Sequence, residues 1–387
     1  MKRWTVGPVA ALLVGATVTA WTFPADSSAS APGVQHALDV LTHDDGLPGA
    51  VARVTEASHP ARTSVSGVGD IDSRAPMPAD GHLRMASNVK SMVATVVLQL
   101  VAERKVGLDT SLATYLPGVV PPRAGDADAI TIRELLQHTS GLHEYSDGLP
   151  SHQNFAPFVH YTRDQLLQRA FAKGPDFPPG TQYRYSNTGY ILLGMVIEKV
   201  TGQPWRDEVT RRIFEPVGMR DSYFPAAYEY GLRGVYAHGY MQLPAAGGAM
   251  TEADVTHLDP SGGDANGDGI STPGDLAKFY TALFGGQLLP AGLLAEMEKV
   301  VATPSPPGSP ELAYGLGIGR YTLPCGGYAW GNAGTTNGFQ TISGLTLDAR
   351  GRVAREVTIE VNSTFGPQPA EATHFFDALF AGLCPAH

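Results

Sequence analysis

Ser87-Asn88-Val89-Lys90 leads, through Ser91, into Met92-Val93-Ala94-Thr95-Val96-Val97-Leu98-Gln99-Leu100-Val101, and the fold turns on this stretch. The apolar run reads as a buried helix with the tetrad at its mouth. On a helix, a serine and a lysine three positions later share one face, about a turn apart. That separation lets an amine reach a hydroxyl and lower the barrier to its deprotonation. Ser-x-x-Lys occurs once in the chain. The spacing arises readily by chance, so its surroundings decide what it means.

Two further clusters stand out. Tyr185-Ser186-Asn187 precedes an apolar helical run, Tyr190 to Val200, closed by Gly202. A tyrosine holds or shuttles a proton where nearby cations favour its phenolate. An asparagine two residues on is placed to hydrogen-bond a substrate amide and a Ser87/Lys90 pair. By itself Tyr-x-Asn is also an ordinary loop-to-helix sequence. Gly331-Asn332-Ala333-Gly334-Thr335 lies between strand-like stretches. Small residues there let the backbone approach a substrate closely and aim an N–H at a developing oxyanion.

Around these clusters, Gly49–Val54 and Thr63–Gly69 read as strands, as do Gly315–Ile318, Gly338–Ile342 and Val353–Val361. Helices are predicted from Thr131, from Thr162 and from Thr272-Pro273, and over Ala370–Gly382. Strands thus lie at both ends and helices in the middle. The pattern predicts an α+β fold with an inserted helical domain. The sheet domain takes residues 32–83 and 272–387, and a mainly helical domain takes 84–271.

The chain has 387 residues, 43% apolar and 17% charged, with a net charge of −10. That balance argues against nucleic acid or an anionic membrane as partner. Residues 1–31 read as an export signal. Lys2 and Arg3 precede an apolar stretch from Trp4 to Trp21, with small residues at Ser27–Ala31. A retained signal anchor is the alternative. The two cysteines, Cys325 and Cys384, are either buried thiols or one disulfide. Export favours the disulfide, which would add roughly 4 kcal/mol in the chain-entropy model. Asp264-Ala265-Asn266-Gly267-Asp268-Gly269, with Asp275 at position 12, matches the start of a calcium loop. Position 12 prefers glutamate and the incoming helix is missing, so a turn bordering the cleft is the better reading, and no metal or other cofactor is expected. No zinc spacing occurs. Gly-x-Ser-x-Gly is absent too, which removes the α/β-hydrolase alternative.

In order and spacing, Ser87-x-x-Lys90, Tyr185-x-Asn187 and the Gly-flanked Asn332–Thr335 segment resemble the serine penicillin-recognising superfamily. That group holds class C β-lactamases, D,D-carboxypeptidases and related esterases and D-amino-acid peptidases. Leu135-Leu136-Gln137-His138-Thr139-Ser140-Gly141-Leu142 resembles a stretch common there, with His138 read as structural. Arg84-Met85-Ala86 and Pro179-Gly180-Thr181 extend the likeness. It runs from about residue 35 to the final cysteine and is greatest to secreted Streptomyces-type D-alanyl-D-alanine carboxypeptidases, whose two cysteines occupy matching places.

The resemblance implies a β-lactamase/transpeptidase-like fold, with an antiparallel sheet flanked by helices. Ser87 would be acylated and Lys90 would be its base. Tyr185 would carry the proton and later activate water, and Asn187 would orient the substrate amide. The N–H groups of Ser87 and Thr335 would hold the oxyanion. The implied protein is a secreted, monomeric serine hydrolase of peptides or esters. D-alanyl-D-alanine stem peptides of peptidoglycan are its first candidate substrates and β-lactams its inhibitors. The departure lies in the third motif. Where the family carries Lys or His and then Thr or Ser before Gly334, this chain has Asn332 and Ala333. An arginine that carboxypeptidases use falls near Gly319. Arg320 is adjacent, but on a strand it faces the other way. The loss favours an esterase or a D-stereospecific amino- or endopeptidase without a carboxylate site. The altered motif also allows a non-catalytic penicillin- or peptidoglycan-binding protein, which would have no need of all four of Ser87, Lys90, Tyr185 and Asn187.

Overall fold

Alternation of apolar and polar residues builds one large sheet, and the strands at the two chain ends supply it. The computed structural model describes residues 33–56, 59–149, 155–244, 249–304, 312–364 and 369–384. The predicted export segment lies outside them. Helix α1 (Val34–Asp39) precedes β1 (Gly49–Glu56) and β2 (His59–Gly67), and β3 (Leu83–Arg84) delivers the chain to α2 (Asn88–Ala102). A helical stretch follows: α3 (Leu112–Tyr115), α4 (Ile132–Leu136), α5 (Arg163–Phe171), α6 (Asn187–Thr201), α7 (Trp205–Val209) and α8 (Glu215–Val217). The antiparallel pair β4 (Tyr240–Pro244) and β5 (Met250–Asp254) and the short β6 (Ile270–Ser271) come before α9 (Pro273–Phe284) and α10 (Ala291–Met297). Then come β7 (Val301–Ala302), β8 (Leu312–Tyr314), β9 (Gly319–Thr322), β10 (Tyr328–Thr336), β11 (Phe339–Leu347), β12 (Val353–Val361) and α11 (Pro369–Leu383).

Among the described residues the large sheet has eight strands in the order β2-β1-β12-β11-β10-β9-β8-β7, and every pairing is antiparallel. One face carries Ala50, Ala52, Ile342, Val357 and Ile359, covered by Leu38 of α1 and Phe375 and Leu379 of α11. The other faces a second core built on Val93, Val97 and Leu100 of α2, Ile191 and Leu192 of α6, and Phe279 of α9. The α+β architecture, an antiparallel sheet flanked by helices, is as expected. The described residues belong to one unit, Ala31–His387.

Local chemistry sets the boundaries. Thr131 and Thr162 form capping boxes with Glu134 and Gln165. Thr272 caps α9, with Pro273 at the first position. Gly315–Ile318, predicted as a strand, is instead the bend between β8 and β9. Gly317 has φ +78° there, and a β-carbon on it would stand 2.3 Å from Ala94 Cβ. Close packing of this bend onto α2 overrides its strand-like composition. The third cluster lies within β10 rather than between strands. Cys325, in the β9–β10 connection, is disulfide-bonded to Cys384 at the end of α11, with Cα atoms 5.9 Å apart.

Candidate active site

Ser87 immediately precedes α2, and Ala86 before it has φ +46°. A non-glycine residue in that region costs about 1–3 kcal/mol and persists only where neighbours hold it. Here Met85 N–H bonds to Gly269 O at 3.0 Å, and Val89 N–H bonds to Ala86 O at 3.0 Å. Two groups meet at Ser87 Oγ: Lys90 Nζ donates at 3.1 Å and Tyr185 Oη at 2.7 Å. The helix thus brings Ser87 and Lys90 together as their spacing predicts, and the loop before α6 adds Tyr185.

Lys90 is fully buried. Burial drives its pKa from 10.5 down to about 7, against the opposing pull of the Glu144 carboxylate. Its Nζ also bonds to the Asn266 carbonyl oxygen at 2.9 Å and stands 4.8 Å from the centroid of the Tyr185 ring. Tyr185 is 36% exposed as a residue, but burial of its phenol raises its pKa, outweighing the Ser87 hydrogen bond. The neutral phenol is therefore the resting form. A lysine with a pKa near 7 is only partly charged and cannot offset the desolvation.

Asn187 does not reach Ser87 or Lys90 as expected. Its backbone N–H bonds to Glu144, and its Nδ2 donates to Glu144 Oε1 at 3.2 Å. Glu144 and Asn266 are the residues that sequence reasoning missed. A lone buried glutamate carries no sequence signal. Asn266, however, sits in the Gly/Asp/Asn turn already placed at the cleft. That turn is not organised for calcium. Asp264 pairs with Arg163 at 2.9 Å, Asp268 pairs with Arg206, and Asp275 meets Lys278 at 2.7 Å.

On the far side of Ser87 runs β10. A β-carbon on Gly334 would stand 2.4 Å from Met85 O and 3.0 Å from Ser87 N, so only glycine lets the strand lie this close. Thr336 and Phe339 are paired across a two-residue Asn337-Gly338 turn. Flanking residues of such a turn form a hydrogen-bonded pair, so alternation points the Thr335 N–H away from β11. The pairing of β10 with β9 stops at Gly331, which leaves that edge open beside Ser87. Asn332 is buried and turns inward. Its Nδ2 donates to Ser87 O and to Ser91 Oγ, both at 3.2 Å. Ser87, Asn187 and Thr335 separate two cavities of about 330 Å³ each. One is lined by Tyr145, Asn266 and Asp268. The other is lined by Tyr183, Tyr314, Gly319, Tyr321, Ala333 and Phe376. Among the described residues, no lysine or arginine lines this second cavity. Arg320 faces away, 4.3 Å over the Tyr328 ring.

The profile of the family described as Beta-lactamase matches residues 34–379. The chain belongs to the Beta-lactamase family. This Beta-lactamase-family chain is similar to a solved D-stereospecific amidohydrolase from Streptomyces sp. (32% identity, TM-score 0.78), covering 91% of this chain and 98% of that one. A D-amino acid amidase from Ochrobactrum anthropi SV3, solved with L-phenylalanine amide, matches at 28% identity and TM-score 0.78, covering 90% and 96%. Esterase EstB of Burkholderia gladioli is 30% identical over 230 residues, which is 56% of this chain and 57% of the esterase. The chain spans about half the length of the curated relatives it matches. A penicillin-binding protein and a D-aminopeptidase stand among them, and the family is one of serine hydrolases.

Proposed function

We propose that this protein hydrolyses amides or esters of D-residues that carry no free carboxylate next to the scissile bond, through an acyl-Ser87 intermediate. The observation behind this reading is the cation-free, aromatic second cavity. With Ala333 and Gly319 at its wall and Asn332 turned inward, a terminal carboxylate would enter it unpaired, and an unpaired charge is costly to desolvate. A D-alanyl-D-alanine carboxypeptidase needs such a charge partner. The similar amidohydrolase and amidase, named for D-substrates, and the esterase support the same choice.

In this reading the neutral Lys90 amine takes the Ser87 proton as Oγ attacks the carbonyl. The Ser87 and Thr335 N–H groups hold the oxyanion, each worth about 10²–10³ in rate. The neutral Tyr185 phenol gives its proton to the leaving group while Lys90 reprotonates it. Water then attacks the acyl-enzyme, with Lys90 and Tyr185 taking its proton and returning it to Ser87 Oγ. Export of the chain, read from residues 1–31, is supported by the disulfide, since such bonds persist in oxidising compartments.

The test compares kcat/KM on one D-Ala-D-Ala peptide, free at its C-terminus or amidated, with Ser87→Ala as the blank. Equal turnover or preference for the amide is expected. A preference of tenfold or more for the free acid, about 1.4 kcal/mol, would restore the carboxypeptidase reading.

A further inference from the structure

Tyr185 sits in a segment with no strand partner, yet its hydroxyl must stay on Ser87. One residue holds the main chain on both sides of it. Arg184 N–H bonds to the His138 carbonyl oxygen at 3.0 Å, and Ser186 N–H bonds to His138 Nδ1 at 3.1 Å. The imidazole also lies against the Tyr185 ring, with centroids 4.4 Å apart. It is 1% exposed. Because Nδ1 accepts, the ring proton is on Nε2.

His138 has φ +60° and sits just past the end of α4. At that position a left-handed residue is ordinarily glycine or asparagine. A histidine kept there against backbone preference has a use for its side chain. We propose that His138 is a positioning residue, whose carbonyl and Nδ1 together clamp the chain around Tyr185 and hold the phenol over Ser87. The proposal rests on Tyr185 being the proton carrier, as in the function proposed above.

The conformation suggests its own test. Asparagine tolerates positive φ, and its Oδ1 falls near the place of the imidazole Nδ1, so His138→Asn keeps the acceptor. His138→Gly relieves the backbone and removes the acceptor. Each variant is assayed for turnover of D-phenylalanine amide and for Tm, with Tyr185→Phe alongside. His138→Asn should keep kcat within about threefold. His138→Gly should lose about 10²-fold in kcat, the scale of a misplaced reacting group, at unchanged KM, while Tm falls because the buried ring leaves a cavity among Tyr183, Tyr185, Tyr190 and Tyr314. A merely structural histidine would lower Tm without splitting kcat between the two variants. Equal kcat for the two His138 variants, both retained or both lost, overturns the clamp. If the glycine variant does not fold, the asparagine variant decides alone. Parental kcat supports the clamp, and a 10²-fold loss at parental Tm overturns it. Full activity in Tyr185→Phe would instead sink the proton-carrier reading, and the clamp with it.

Discussion

Replacing Lys90 with methionine should abolish turnover and make the protein more stable. The folded-state pKa is about 7 against an ordinary 10.5. At 1.36 kcal/mol per pH unit, that gap corresponds to about 5 kcal/mol for holding an ammonium in this site. The group's folded pKa is lowered, so the cost is present in full below about pH 7, where both states are protonated. It shrinks between pH 7 and 10.5 as the folded lysine sheds its proton, and it vanishes above. Methionine fills similar volume but leaves Asn266 O without its 2.9 Å donor, a loss of about 1–3 kcal/mol. The net gain at pH 6 is then about 2–4 kcal/mol, falling to zero or below by pH 10.5. Urea denaturation at pH 6 and pH 10 measures it. In the parent, kcat/KM should rise with pH through about 7, because only the neutral amine is a base, and then level off. An acid limb near pH 9 or above, or a Lys90→Met protein less stable than its parent at pH 6, would refute the reasoning.

Three other outcomes are expected. Gly334→Ala should cost about 10²-fold or more in kcat with the fold retained by circular dichroism, because the new β-carbon displaces the Ser87 turn. Gly319→Arg should raise kcat/KM for the free-acid peptide about tenfold relative to the amide, about 1.4 kcal/mol. A β-carbon there meets Gly331 O at 3.2 Å, which is tight but tolerable, and competing kinetics on the two peptides read the ratio. Cys384→Ser should lower stability by about 2–4 kcal/mol in a denaturant titration while leaving kcat within about twofold, because the bond ties α11 to the β9–β10 connection.

Much of the site was legible because its parts obey short-range rules. Ser87 and Lys90 meet because a helix dictates it, and Gly334 marks a close approach. Val353–Val361 reads as a strand because β12 is bracketed by turn residues and covered on both faces. What was not legible is what distance in sequence conceals. Lys90 finds its second acceptor 176 residues away, on the carbonyl of Asn266. No side-chain pattern announces a backbone acceptor. Asn187 is turned by Glu144, 43 residues earlier, away from the pair it was expected to join. Gly315–Ile318 reads as a strand locally but is bent by its contact with α2.

In the proposed reading, the two departures in the third motif alter selectivity while leaving the side chains of Ser87, Lys90 and Tyr185 in place. A long cation at position 332 would have to leave the wall of α2 to meet a substrate. Asn332 is short enough to stay behind Ser87, and there it ties the serine carbonyl and Ser91 to β10. The residue therefore stabilises the start of the nucleophile's helix rather than the ligand. The hydroxyl expected after it is replaced by the apolar Ala333, which faces the aromatic cavity. A cavity of that character gains free energy by covering apolar surface, roughly 25 cal/mol per Å². It loses free energy by desolvating a carboxylate with no partner. Under the proposed function, both effects favour an amide or ester with an apolar or uncharged group beyond the bond, and the Ser87–Lys90–Tyr185 contacts are compatible with either leaving group.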